Sequence, residues 1–311
     1  MVPRGYTGLL KNYKMNNKIV LLITVALLLG SLCSAAQGLY VPPKDGLHPS
    51  APKVPAYAVF CGDTIRFDTV EKYERMDREL MNFSYMHTTT SLMLKRSGRY
   101  FPQVEPMLKA AGVPDDFKYL MVIESNLDPK AVSVSGAAGL WQFTKATARE
   151  YGMMVNNEVD ERFNIEKETT AACQYILRAY SRFRNWFNVA ASYNCGMGGM
   201  ITRIADQKQD DFEDLWLPEE TSRYVYRILV AKMLFADPSA FGFDIDERYP
   251  YNEPLHTVTV SGPIESLVDF AEQYGVTYAE LKRANLWLRD NKLVNKEQKT
   301  YKIIIPRPGR I

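Results

Sequence analysis

Glu124 is the residue whose type and setting most directly suggest chemistry. It ends the apolar run Tyr119-Leu120-Met121-Val122-Ile123, and Ser125 and then Pro129 follow it. A carboxyl at the end of a helix that buries its other face is partly desolvated, which disfavours the charged form and raises the pKa. A glutamic acid that stays protonated near neutral pH can donate its proton, as a general acid must. The nearest other acid, Asp128, stands before Pro129 and reads as a loop-solvated side chain. Three further stretches follow: 136–143 (Gly-Ala-Ala-Gly-Leu-Trp-Gln-Phe), 191–196 (Ala-Ser-Tyr-Asn-Cys-Gly) and 217–225 (Leu-Pro-Glu-Glu-Thr-Ser-Arg-Tyr-Val).

Composition narrows the chemistry. The 311 residues suffice for one medium domain and a small one, and 46% hydrophobic content implies a packed core. A formal net charge of +2 and the lack of a long basic run argue against nucleic acid as a partner. The three histidines (His48, His87, His256) are scattered, and no HExxH or paired CxxC pattern occurs, so neither a metal nor an organic cofactor is expected.

The N-terminus reads as an address. Lys14 and Lys18 precede an apolar run over 19–29, and small residues follow at Ser34-Ala35-Ala36. That order is a secretory signal, and the run is too short for the roughly 20 residues of a membrane span. Met15 is the more natural start, with the segment before it an upstream extension. Cleavage after Ala36 is expected, while Cys33 keeps open a lipid anchor; Leu32 is bulky for that processing. Export follows, with membrane association through an uncleaved signal or a lipid as the alternative. Cleavage leaves Cys61, Cys173 and Cys195; the latter two, in apolar helical segments, read as buried small hydrophobes rather than a disulfide.

The elements that must position Glu124 are helical. Residues 37–68 are proline-rich and read as a linker. Helical spacing then predicts helices over 70–96, 101–111, 115–124, 140–151, 169–184, 187–194 and 219–235. Gly112 is placed to end one helix and Pro114 to open the next. The expected fold is mainly α over 69–237, then a linker over 238–254 and a small α+β unit, β-α-α-β, over 255–307. In that unit 257–260 alternates as a strand, Leu267, Phe270, Ala271 and Tyr274 mark a helix, and Thr277 with Glu280 forms a capping box. A β-rich run over 301–305 closes it.

Glu124-Ser125 and the three later stretches, in this order, resemble the family 1 lytic transglycosylases of peptidoglycan, closest to the membrane-bound murein transglycosylase D type. The resemblance covers about 99–234. It implies a goose-lysozyme-like helical catalytic domain after the signal peptide and extension (1–36) and the linker (37–68). It also implies that Glu124 acts as acid and then base, cleaving the bond between N-acetylmuramic acid and N-acetylglucosamine to leave a 1,6-anhydro ring. Peptidoglycan strands would be the partner, and a monomer is expected. The resemblance would also place the exported chain in the periplasm or envelope of a bacterium. On the same basis Ser125, Gln142, Tyr193, Asn194 and Glu220 are candidate substrate-binding residues. Ser125 would bond near the carboxyl or cap a helix end, and Gly136 and Gly139 would let backbone approach the sugar or simply form a turn. Gln142 would offer its amide to the sugar, and Tyr193 would donate to substrate or intermediate. Asn194 would hold the loop, and Glu220 would line the cleft or favour a helix dipole. Trp141 is expected in the core, and Asp160 with Arg162 as a structural ion pair. The C-terminal unit resembles a LysM module, which binds N-acetylglucosamine, although its usual Gly-Asp-Thr turn is replaced by residues 262–266. A lysozyme-type hydrolase using Glu220 or Asp128 to position water, or an idle wall-binding scaffold, are the alternatives.

Overall fold

The computed structural model describes residues 51–307. The expected signal peptide, Cys33 and the start of the proline-rich segment lie outside the described residues. The first element is a hairpin, β1 (Tyr57–Phe60) with β2 (Asp63–Arg66), inside the segment read from sequence as linker. Its two turn residues, Cys61 and Gly62, both have positive φ (55° and 96°), the backbone of a tight hairpin turn. Phe60 and Ile65 point into the core, and Phe60 meets Phe117 edge-on with ring centroids 5.1 Å apart. The prolines concealed this short alternation.

Two long helices follow, α1 (Val70–Tyr85) and α2 (His87–Ala111). Sequence spacing placed the break between 96 and 101; it falls at Met86 instead. The buried face Met93, Leu94, Ser97, Tyr100, Phe101, Val104, Leu108 runs unbroken through Pro102 and Pro106. Each proline removes one N–H, and that continuous packed face outweighs the loss. At Met86 the Thr90 hydroxyl donates to the Phe83 carbonyl at 2.8 Å, satisfying an acceptor near the break. Gly112, at φ 74°, stops α2 as expected.

A short 3-10 turn (Asp115–Phe117) leads into α3 (Lys118–Ser125), whose Leu120, Met121, Val122 and Ile123 are buried. Asn126, left-handed at φ 51°, caps it, its N–H reaching the Val122 carbonyl at 2.8 Å. The stretch 140–151 is not one helix. Only α4 (Lys145–Glu150) forms, capped by Thr144. Before it the chain turns through Gly139 (φ 87°) and Gln142 (φ 51°), conformations that interrupt any helix. Then come α5 (Ile165–Phe183), α6 (Trp186–Cys195), α7 (Met197–Gln207) and α8 (Glu219–Ala236). The sequence reading had no α7, because Gly196, Gly198 and Gly199 open it and only Met200 is buried. Helix α8 packs on α1, α3 and α6, making it the central strut of the helical core. Segment 238–254, expected as a linker, is fastened to α2: Phe241 and Phe243 are buried, and the Tyr249 N–H donates to the Lys95 carbonyl at 2.8 Å.

The C-terminal unit is the expected β-α-α-β module: β3 (His256–Val260), α9 (Leu267–Gln273), α10 (Tyr278–Ala284) and β4 (Tyr301–Ile305). The strands pair antiparallel, His256 opposite Ile305 and Val260 opposite Tyr301. The Thr277–Glu280 capping box is present. Its apolar core (Leu267, Ala271, Leu281, Trp287, Ile303, Ile305) also takes in Ala138, Val159 and Phe163 from the helical region. Backbone bonds reinforce this union: the Asp160 N–H reaches the Trp287 carbonyl at 2.9 Å and the Arg289 N–H the Glu158 carbonyl at 2.7 Å.

Candidate active site

Glu124 sits in the last turn of α3, on a helix held by its own buried apolar side chains. The residue as a whole is half-buried, and protein surrounds its carboxyl closely enough that desolvation dominates. Burial pushes its pKa from 4.5 up to about 7; the hydrogen bond from Tyr224 and the positive charge of Arg227 oppose that rise, and the charge of Glu220 adds to it. Tyr224 Oη donates to Glu124 Oε1 at 2.5 Å. The sequence reading placed Tyr224 in the 217–225 stretch and in the 219–235 helix but gave it no role of its own. The missed signal is its spacing: Glu220, Tyr224 and Arg227 fall at i, i+4 and i+7, one face of α8.

Helix α8 is fixed in azimuth by a buried acid. Glu79 of α1, 1% exposed, takes Arg223 Nε at 2.6 Å and Nη2 at 3.3 Å. Asn194 contributes a second tie: Thr221 Oγ1 donates to its Oδ1 at 2.8 Å, joining the end of α6 to the first turn of α8. In this structure the Asn194 amide oxygen is thus engaged in tying the two helices together. Glu220 is exposed in that same turn and reaches Glu124 through its field rather than by a hydrogen bond. Arg227 has no hydrogen-bond or ion-pair partner among the described residues; with Asn126 and Arg223 it lines a cavity of about 220 Å³ opened by the Met86 break.

The loop over 136–143 forms another part of the neighbourhood. Trp141 is fully buried, its indole N–H donating to Thr169 Oγ1 at 3.0 Å and its backbone N–H to Glu168 Oε2 at 3.1 Å. Gly139 has no room for a side chain: a Cβ there would collide with the Arg162 carbonyl and the Glu168 carboxyl. Glycine is thus demanded here by a turn and by close packing, whatever its relation to a ligand. Arg162 and Asp160 form the expected structural pair, bidentate at 2.9 and 2.7 Å and buried. Arg162 Nη1 also donates to the Gly136 and Phe143 carbonyls (2.7 and 3.1 Å), clamping both ends of the loop.

The remaining candidates are engaged with protein. Gln142 Nε2 donates to the carbonyls of Gly139 (2.8 Å) and Ala131 (3.1 Å), so its amide nitrogen braces the loop. Tyr193 Oη donates to the Trp141 carbonyl at 2.9 Å, and burial first, then the charge of Glu124, holds its pKa well above the usual phenol value. Ser125 is buried, and its hydroxyl donates back to the Met121 carbonyl at 3.1 Å; it makes no bond to the Glu124 carboxyl and is not an N-cap. Asp128 faces Arg96 at 3.5 Å and accepts from the Lys130 N–H at 3.0 Å, a loop acid as expected. Cys61, Cys173 and Cys195 are free thiols. Among the described residues no group of His, Cys, Asp and Glu is arranged to hold a metal ion. A cavity of about 820 Å³ lies between the helical region and the β-α-α-β module, and its lining does not include Glu124.

Residues 104–215 match the family described as Transglycosylase SLT domain, and residues 256–309 the Soluble lytic transglycosylase C-terminal LysM-like domain. Membrane-bound lytic murein transglycosylase D of Escherichia coli (strain K12) is 29% identical over 242 residues, covering 75% of this chain and 52% of that protein. Membrane-bound lytic murein transglycosylase F of Yersinia pestis is 26% identical over 219 residues, 66% of this chain and 42% of that one. The chain spans about half the length of the curated relatives it matches. Among solved structures, the 70 kDa soluble lytic transglycosylase of Escherichia coli aligns over 56% of this chain and 33% of its own, at 17% identity and a TM-score of 0.39. The chain thus carries a transglycosylase SLT domain followed by a LysM-like domain of the soluble lytic transglycosylase type, and is a distant homologue of membrane-bound lytic murein transglycosylase D.

Proposed function

We propose that this protein is a peptidoglycan lytic transglycosylase and that Glu124 is its acid and base. The observation that carries the reading is a glutamate with its pKa pushed up to about 7, braced by Tyr224, inside a matched SLT domain. Protonated Glu124 donates to the oxygen linking N-acetylmuramic acid to N-acetylglucosamine, and the muramyl C1–O bond breaks with oxocarbenium character. The carboxylate then takes the proton of the muramyl 6-hydroxyl, and O6 closes on C1. The proton returns to Glu124, no water is consumed, and the new end is a 1,6-anhydro sugar. Tyr224 steadies the carboxylate that exists between the two transfers, and Arg227 stabilises the same charge. Gln142, Tyr193 and Glu220 would meet the sugar, with Ser125 and Asn194 supporting the walls. The catalytic domain would span 69–237 and the LysM-like domain, holding the strand, 255–307. Its relatives' printed names place two of them on a membrane; for this chain, export to a bacterial envelope is proposed. No helix among the described residues is long and apolar enough to cross a membrane.

A hydrolase reading is kept alive by one observation, the field of Glu220 at Glu124. A second carboxylate could position water, as in inverting glycosidases. Mass spectrometry of digested peptidoglycan separates the two. Anhydromuropeptides are expected; reducing ends from the first time point would establish hydrolysis, and undigested strands with wild type would reduce the protein to a scaffold.

A further inference from the structure

Trp216 is the most exposed aromatic side chain among the described residues, at 82%. Exposed single apolar residues are ordinary; the mounting of this one is not. Leu215 and Leu217 on either side are buried in the helical core, so the extended backbone between them turns the indole outward. The Gln207 side chain, at the end of α7, grips the same residue twice. The Trp216 N–H donates to Gln207 Oε1 at 2.7 Å, and Gln207 Nε2 donates to the Trp216 carbonyl at 3.0 Å. The backbone that carries this flat apolar ring is therefore pinned, while the ring stands in water with no aromatic or cationic partner among the described residues. Rigid aromatics lose little entropy on binding, which is why they serve as anchors.

Its position connects it to the proposed site. Trp216 precedes Glu220 by four residues, so their Cα atoms are at most about 14 Å apart. Glu220 lies in the turn of α8 that faces Glu124. A polymer bound across Glu124 extends beyond the scissile bond in both directions. Pyranose rings present apolar C–H faces that stack on an indole, while their hydroxyls remain in water.

We propose that Trp216 is a stacking platform for a sugar ring of the glycan strand, remote from the bond being cleaved. This rests on the glycan-strand reading above and adds to it a subsite that would make the enzyme sensitive to strand length.

The chain has four tryptophans; Trp141 and Trp287 are buried, and Trp186 is stacked on Tyr180 with centroids 3.8 Å apart. Iodide quenching of fluorescence therefore reads chiefly Trp216. In the Glu124→Gln protein, long peptide-free glycan strands should shield the emission from iodide, and the shielding should vanish when Trp216→Ala is added. In the active protein, Trp216→Ala should raise KM for long strands about tenfold more than for short oligosaccharides, the scale of an aromatic anchor. Trp216→Phe should restore most of that loss, and Tm should not move. Equal KM changes on long and short substrates, or shielding by anionic lipid vesicles and not by glycan, would overturn the proposal. If wild type cleaves no peptidoglycan while glycan still shields Trp216, the enzyme reading fails and the platform stands. If wild type yields anhydro products and Trp216→Ala treats all lengths alike, the platform alone fails.

Discussion

At Glu124, desolvation raises the proton affinity while Tyr224 and Arg227 lower it, and the balance lands near pH 7. Replacing Glu124 by Gln keeps the shape and removes the acidic proton, so cleavage should fall by at least about 100-fold, measured as anhydromuropeptide release. The same variant carries a stability signature. A carboxyl whose folded pKa lies above its unfolded one contributes stability that is full below about pH 4.5 and lost as pH rises through about 7. Glu124→Gln should therefore match wild type near pH 4 and exceed it in alkaline buffer, by at most about 3 kcal/mol, read from thermal melts across pH. Tyr224→Phe removes a donor that favours the charged carboxylate. The alkaline fall of kcat/KM should then move to higher pH. An unmoved limb would mean that Tyr224 does not set the proton affinity of the group that titrates there.

Among the elements, the loop over 136–143 is the most tightly specified. Gly139→Ala adds a methyl against the Arg162 carbonyl and the Glu168 carboxyl in a left-handed backbone. A loss of at least about 2 kcal/mol is expected in urea denaturation, with activity falling alongside. Asp160→Ala strands a buried guanidinium, which costs about 3–5 kcal/mol when one partner of such a pair is removed. Removing Arg162 as well should recover part of this, since no buried charge is then left alone. Much of the helical framework was legible as spacing, including the capping box and the long apolar face of α8. Four elements were not. The hairpin over 57–66 is too short to show against its prolines, α7 has almost no buried face, α2 crosses two prolines because its packing is continuous, and α4 is cut short by the left-handed turn at Gly139 and Gln142.

Across the whole molecule, the C-terminal module is built into the helical region rather than tethered to it, sharing Ala138, Val159 and Phe163 in one core. Truncation before residue 255 should lower Tm by about 2–4 °C for each kcal/mol lost, the scale for a domain of this size, and should raise binding of a hydrophobic dye. An unchanged melt would show that the two cores are energetically independent. Sequence alone determined the candidate carboxyl, the order of the motifs around it and the β-α-α-β pattern, because each depends on residue type and on spacing within a few turns. It also placed Asp160 beside Arg162 and Trp141 in the core. Tertiary structure alone decided what touches Glu124. Tyr224 lies 100 residues away in the chain, and Gln142, Tyr193 and Ser125 all donate to backbone carbonyls. Desolvation and hydrogen bonding depend on which distant segments meet, and no local pattern of side chains records that.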